Sequence, residues 1–232
     1  MKNLFKYSMV AAATVALAGS VYAIPTLVVT DGSGINQITT SASGAAVIVS
    51  SDASWSITIS TGTSYPPIAG GGTATAPVMD LSIQATYIGT GSSGNPLTIS
   101  WGSDGFGPTA GQVQATLSGH VVSGTGNAVG FTTVASSANL LPTLGTPQIP
   151  GTIMTSVSIP NVGGAYSSKV IGGPINLGSP YSWDEVVTLT GNLGGSSYSI
   201  DASLTTVPDG GMTLVLLGSA LSGLALIKRK LA

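Results

Sequence analysis

The sequence predicts an all-β fold class: an antiparallel β-sandwich, flanked by an N-terminal signal helix and a C-terminal transmembrane helix. Three observations predict the sandwich. Several segments alternate apolar and polar residues with a period of two, which is typical of half-buried strands. Glycine-rich turn clusters separate these segments, and the chain contains 33 glycines. The body shows no convincing helical apolar repeat, so many short strands packed around a core are expected.

The alternating segments place bulky apolar side chains on one face of each predicted strand. Residues 54–60 put Trp55 and two isoleucines on one side. Other alternating segments are residues 81–87, 97–101, 112–121 and 198–204, and residues 153–159 and 187–190 fit less cleanly. Trp101 and Trp183 also lie on the apolar face of their predicted strands or next to it. All three tryptophans are therefore predicted to pack in the core.

Two segments and the charge content bear on connections and sheet edges. Residues 45–49 are continuously apolar, which predicts a strand buried on both faces. Residues 141–150 carry three prolines and predict a long crossover or edge loop, with a boundary between two small sandwiches as the open alternative. Charged residues, which normally protect sheet edges, make up only 6% of the chain. Either proline, glycine and bulges protect the edges, or the edges pair with neighbouring molecules.

The N-terminal residues have the pattern of a secretory signal peptide. Lys2 and Lys6 form a positive region, and the apolar residues 9–18 follow it. This apolar run is too short for a permanent anchor. The box that ends at Ala23 predicts cleavage by signal peptidase after that residue, so the signal is residues 1–23 and the body is residues 24–206.

The C-terminal residues 207–232 have three parts: a short polar motif, an apolar run and a basic cluster. The uncharged run 212–227 is ~24 Å long as a helix, which is short for a bilayer core of ~30 Å. The three basic residues would stay on the cytoplasmic side and stop transfer there. They are Lys228, Arg229 and Lys230.

This three-part order resembles the PEP-CTERM sorting signal, in the variant that reads Val-Pro-Asp-Ser-Gly. The motif here consists of Val207, Pro208, Asp209, Gly210 and Gly211. It departs from that variant at Gly210, where the variant has serine. The resemblance implies an exosortase substrate, cleaved near the motif by a transpeptidase-like enzyme of the membrane. A tail-anchored protein that keeps its helix is the open alternative.

The resemblance also covers the last two predicted strands. Family members often carry a hairpin rich in valine and threonine just before the signal, ending in a segment like Asp201-Ala-Ser-Leu204. It implies that residues 183–190 pair with residues 198–204.

The chemistry-bearing residues of the body are few. Without cysteine, the core holds without disulfides and no thiol nucleophile exists. Lys169 is the only cation between residues 7 and 227, which excludes a nucleic-acid binder. The single histidine, His120, is predicted on a solvated strand face. No cofactor is expected.

The acidic residues suggest structural rather than catalytic roles. Asp184 and Glu185 are adjacent, so on a strand they face opposite sides, and both are predicted to be solvated. The segments at Asp31 and Asp104 could offer oxygen ligands to calcium, but each contains one acid and is better explained by turn formation. The predicted site list therefore contains no catalytic and no metal-ligating residue.

The two terminal signals and the sparse catalytic inventory favour an exported, non-enzymatic structural protein of the cell surface or extracellular matrix. It would pass through an inner-membrane intermediate in a Gram-negative-type bacterium. The alternative is a glycan-binding module that retains extracellular polysaccharide. That function requires an exposed aromatic ring, for which Tyr65 and Phe106 are the candidates. A polysaccharide-active enzyme would instead require two acids about 5–10 Å apart in a cleft.

Overall fold

The computed structural model describes residues 25–41, 44–61, 77–90, 96–122, 126–160, 162–178, 180–191, 194–207 and residue 218. The predicted signal peptide and the predicted C-terminal helix lie outside these ranges, apart from residue 218. Within the described part of the chain, no helix has the length and apolar character needed to cross a bilayer.

The described residues form twelve β-strands. They are β1 (Thr26–Thr30), β2 (Asn36–Thr40), β3 (Val47–Ser51), β4 (Trp55–Thr61), β5 (Val78–Tyr87), β6 (Leu97–Phe106), β7 (Thr109–Val122), β8 (Ala128–Ser136), β9 (Thr152–Ile159), β10 (Gly164–Leu177), β11 (Tyr181–Thr190) and β12 (Ser196–Val207). The alternating segments and the apolar run 45–49 together predicted all but four of these strands. Strands β1, β2, β8 and β10 were missed because they are short or lack a regular row of bulky apolar side chains.

The strands form two six-stranded sheets in which every pairing is antiparallel. Sheet 1 has the order β2-β1-β6-β11-β8-β9, and sheet 2 has the order β10-β7-β12-β5-β4-β3. The predicted antiparallel sandwich is confirmed. Each sheet contains strands from both halves of the sequence, since β6 lies beside β11 and β12 lies between β7 and β5.

The core fills the space between the two sheets. Trp55, Trp101 and Trp183 are fully buried, as predicted. Trp55 lies 5.1 Å from Tyr87 and 5.8 Å from Tyr198, measured between ring centroids. These contacts link three strands of sheet 2 through one aromatic cluster. The cluster stabilises the fold by more than the apolar area that it buries.

Strand β3 corrects one prediction. The apolar run 45–49 predicted a strand buried on both faces, but β3 is the last strand of sheet 2. Only Ile48 points into the core, at 6% exposure, whereas Val47 and Val49 are 64% and 73% exposed. The prediction is wrong because the outer face of an edge strand has no second layer to cover it.

Strands β11 and β12 correct a second prediction. They do not pair as a hairpin, because β11 lies in sheet 1 and β12 lies in sheet 2. Their inward side chains face the same core from opposite sides. The chain changes sheet after β11, and the Tyr198 hydroxyl donates to the Thr190 carbonyl at 2.8 Å beside this connection.

The proline-rich segment belongs to a connection that we name the covering loop, residues 137–151. It joins β8 to the neighbouring edge strand β9, so it is an edge loop and not a crossover between sheets. The loop folds back over the outer face of sheet 1, where a Cβ added to Gly102 would lie 2.4 Å from Pro142. Asn139 accepts a hydrogen bond from the Gly105 amide at 2.8 Å and fixes the start of the loop.

Candidate functional site

The predicted processing motif begins at the end of a central strand. Val207 is both the first residue of the motif and the last residue of β12. It pairs with Gln112 of β7, and the preceding amide of Thr206 donates to the Pro77 carbonyl at 3.4 Å. Pro208, Asp209, Gly210 and Gly211 lie outside the described residues. So do Ala23 and the stop-transfer residues Lys228, Arg229 and Lys230.

The first described residue and Val207 lie at the same end of the sandwich. Thr26 of β1 pairs with Gly102, in the second half of β6, which ends at Phe106. Residues 107–108 then connect β6 directly to β7, whose first residues flank the end of β12. Both predicted export signals therefore join the body at one end.

Asp184 is held beneath the covering loop. It is fully buried, and its carboxyl group accepts a hydrogen bond from the Ser100 hydroxyl at 2.5 Å. The amide of Ile149, in the covering loop, donates to the other carboxyl oxygen at 3.1 Å. Burial raises the pKa of Asp184 to about 7, although both hydrogen bonds act to lower it.

Glu185 points in the opposite direction, into the core. It is fully buried, and neither of its carboxyl oxygens has a hydrogen-bond partner. Its cross-strand neighbours are Trp101, whose indole nitrogen is also unpartnered, and Thr133. Burial raises the pKa of Glu185 well above its usual range, and the nearby carboxyl groups of Asp80 and Asp184 add to the effect.

These two acids correct a third prediction. They face opposite sides of β11, as expected, but neither is solvated. The covering loop buries Asp184, and the opposing sheet buries Glu185. Both covers come from sequence-distant segments, which is why the local pattern did not reveal them.

The segment at Asp31 forms the turn that the sequence predicts. The Asp31 carboxylate accepts amide hydrogen bonds from Ser33 at 2.9 Å and from Gly34 and Ile35 at 3.0 Å. Burial opposes its ionisation, but hydrogen bonds from Ser33 and its other neighbours outweigh burial and lower the pKa of Asp31. Asp52 lies beside this turn and accepts from the amides that open β4.

Other acidic positions are also structural or open to solvent. Asp104 lies within β6, near a shift of register against β11, and Gly105 next to it has a φ of +72°. Asp80 and Asp201 lie on the exposed outer face of sheet 2, on neighbouring strands. Burial, and then the charge of Asp201, raise the pKa of Asp80. Among the described residues, no group of three or more metal-ligating side chains comes together.

On the central strands β5, β12 and β7, the outer face that carries Asp80 and Asp201 consists mainly of hydroxyl and amide side chains. Gln84 donates to the Ser199 hydroxyl at 2.7 Å across β5 and β12. His120 is exposed on the same face, as predicted. Sequence reasoning did not bring Asp80 and Asp201 together. Both acids alternate with apolar residues, which predicts that each points outward from its strand. This alternation does not show that β5 pairs with β12.

The candidate aromatic positions for sugar binding have different outcomes. Phe106 is fully buried and stacks on Tyr181 at 5.6 Å between ring centroids. Phe106 is therefore excluded as the exposed platform that the glycan-binding alternative requires. Tyr65 lies outside the described residues.

Residues 206–231 match the family model described as the VPDSG-CTERM motif. The chain therefore carries a PEP-CTERM-type sorting signal, which confirms the resemblance of its C-terminal residues. A signal of this type implies export and sorting to the cell surface in bacteria. The matched residues begin one position before Val207, where the described strand β12 ends.

The comparison with curated proteins found no match. Among solved structures, one similar chain is described as TmCBM61 in complex with β-1,4-galactotriose. It shares 12% sequence identity, with a TM-score of 0.35, over 66% of this chain and 88% of the other.

Proposed function

We propose that this protein is a non-enzymatic structural component of the bacterial cell surface or extracellular matrix, released from the membrane by an exosortase-like enzyme that cleaves at Val207–Gly211. The observation that carries the proposal is the sorting signal at residues 206–231. Signal peptidase would first remove residues 1–23 after Ala23. The helix over residues 212–227 would then hold the intermediate in the inner membrane, with Lys228, Arg229 and Lys230 in the cytoplasm.

The position of the motif supports cleavage without damage to the body. Strand β12 pairs with β5 and β7 up to Thr205 and Val207, respectively. A cut after Val207 would therefore leave every described strand complete. Upstream of the cut, the polypeptide would remain anchored by two ladders of backbone hydrogen bonds.

The arrangement of acids supports a structural rather than a catalytic role. Asp184 and Glu185 are buried on opposite faces of β11, so they cannot act together on one substrate. The carboxylates of Asp31 and Asp52 accept hydrogen bonds from backbone amides of neighbouring turns. The remaining neighbouring pair, Asp80 and Asp201, lies on the exposed face of a sheet.

Intact-mass spectrometry of membrane and medium fractions tests this function. Wild-type protein and the double variant P208A/D209A would be produced in cells with and without the matching exosortase-like enzyme. We expect wild-type protein to lose the segment that contains Arg229 only when the enzyme is present. The double variant should keep that segment and remain in the membrane fraction.

The matched control is D201A, which removes an exposed carboxylate from the same strand without touching the motif. It should be processed like wild-type protein. Wild-type product that still carries Arg229 in cells with the enzyme would overturn the proposal.

The glycan-binding alternative remains a prediction that depends on an exposed aromatic ring. A polysaccharide screen that compares wild-type protein with the Y65A variant tests it. Binding that is lost in Y65A would favour this alternative, and no binding by either protein would contradict it.

A further inference from the structure

The four edge strands of the two sheets are not equally protected. Edge strand β10 carries the exposed Lys169, and its register against β7 shifts between Gly172 and Ile175, with Pro174 inside the shift. Charge, bulge and proline are the usual features that prevent an edge from pairing with another chain. Strand β9 lies directly against β10, since a Cβ added to Gly172 would be 2.5 Å from the Met154 carbonyl.

Edge strand β3 has none of these protections. Its residues Val47–Ser51 contain no charge and no proline, and its register against β4 is continuous. Val47 and Val49 are the two most exposed large apolar side chains among the described residues, at 64% and 73%. The remaining edge strand, β2, is polar on most of its length.

The hydrogen-bond pattern shows which backbone groups of β3 point outward. At one end the Thr61 amide donates to the Ala46 carbonyl, and at the other the Asp52 amide donates to the Trp55 carbonyl. Because bonded residues alternate along an antiparallel pair, the even-numbered residues of β3 bond to β4. The amides and carbonyls of Val47, Val49 and Ser51 therefore face away from the sheet.

We infer that β3 pairs antiparallel with β3 of a second copy of this chain, around a two-fold axis at Ile48. In this register Val47 faces Val49 of the partner copy, and each such pair exchanges two backbone hydrogen bonds. The valines join in one cross-strand cluster, and the two Ile48 side chains extend the core across the axis. Asp52 faces Gly44 of the other copy, so no like charges meet.

The protected edge β10 ends the joined sheet 2 at two copies. Pairing through β3 joins the two copies of sheet 2 into one continuous sheet, whose outer ends are both β10. The pairing is isologous, because the same strand is used on both copies. The expected product is a closed dimer rather than a filament.

Light scattering coupled to gel filtration tests the dimer on the full-length protein in detergent. The wild-type protein should be a dimer. The variant V47K/V49K places like charges directly opposite each other and should raise the dissociation constant at least about tenfold. The matched control S56K/T58K adds two lysines to the exposed face of the neighbouring strand β4 and should remain a dimer. A monomeric wild type, a V47K/V49K variant with the same dissociation constant as wild-type protein, or a monomeric S56K/T58K would each overturn the inference.

Disulfide trapping tests the register, and the absence of native cysteine makes the result specific. Protein with V47C is mixed with protein with V49C under mild oxidation. We expect cross-linked dimer to be at least about tenfold more abundant in the mixture than with either variant alone, because only residues 47 and 49 face each other at disulfide distance. Equal cross-linking by V49C alone would place the axis at Val49 and overturn the proposed register.

Discussion

The carboxyl groups of Asp184 and Glu185 leave β11 on opposite faces of sheet 1, and both are fully buried. Asp184 accepts hydrogen bonds from Ser100 and from the covering loop. Glu185 enters the core without a partner. Two adjacent acids are therefore buried for different reasons, and their substitution should have opposite effects on stability near neutral pH.

We predict that E185Q stabilises the protein at neutral and alkaline pH. Because burial raises the pKa of Glu185 in the folded state, its contribution to stability is complete below about pH 4.5 and is lost as pH rises toward the folded pKa. One such group changes the free energy of unfolding by about 1.4 kcal/mol per pH unit within that window. Urea unfolding of the full-length protein at a series of pH values measures this slope.

The E185Q variant should show a shallower loss of stability with pH than wild-type protein. In this variant Asp184 should still cause a loss of stability as pH rises to about 7, because burial raises its own pKa to about 7. The exposed-site variant T58A, which changes no titratable group, serves as the control and should follow the wild-type profile. Parallel profiles of E185Q and wild type would show that Glu185 is not buried in its protonated form.

We predict that D184A destabilises the protein and loosens the covering loop. The substitution removes the acceptors of the Ser100 hydroxyl and the Ile149 amide, both of which are buried. Leaving these two donors unsatisfied should cost about 2–4 kcal/mol. Thermal unfolding measures the loss of stability. Proteolysis should cut within residues 137–151 sooner than in wild-type protein, and unchanged cleavage would contradict the role of Asp184 as a loop anchor.

The aromatic cluster around Trp55 supplies another prediction. Trp55 is fully buried against Tyr87 and Tyr198. We expect W55A to lower the free energy of unfolding by about 3–5 kcal/mol, since a large cavity remains. T58A, at an exposed position of the same strand, should change it by less than about 0.5 kcal/mol. Equal effects in urea titration would show that the cluster does not support the core.

Two glycines form a matched pair for testing close backbone packing. A Cβ at Gly119 would lie 2.3 Å from the Ser199 carbonyl oxygen, whereas a Cβ at Gly163 would meet nothing within 4 Å. G119A should therefore destabilise by about 1–3 kcal/mol through overpacking. G163A should leave the midpoint of thermal unfolding nearly unchanged. A harmless G119A would mean that β7 and β12 can separate without cost.

The sequence predicted much of the sandwich because its central strands alternate strictly. Trp55 and its alternate neighbours on β4 show this, since every second residue of that strand is buried. Alternation records which side chains face the core, but it does not record which sheet a strand joins. The expected pairing of β11 with β12 failed for this reason. Their inward faces are alike, and only the change of sheet after Thr190 distinguishes the two arrangements.

The same limit explains the errors at the buried acids and at β3. Whether Asp184 is covered depends on a loop that starts about fifty residues earlier, and no local pattern at β11 encodes that cover. In β3 the apolar run includes Val47 and Val49, which are exposed. In the sequence, the apolar residues on the outer face of an edge strand cannot be distinguished from those of a strand that is buried on both faces. The sorting signal, in contrast, could be recognised because its three parts are contiguous.

The placement of the motif after a central strand has a mechanical consequence. Strand β12 is bonded to β5 over Ser196–Thr205 and to β7 over Ser197–Val207. Bonds in antiparallel ladders run perpendicular to the strands. A pull on the tail along the strand axis therefore shears both ladders at once, instead of unzipping them bond by bond. A force applied at this terminus is therefore distributed over the hydrogen bonds of both ladders. The domain should resist mechanical unfolding while the tail is tethered.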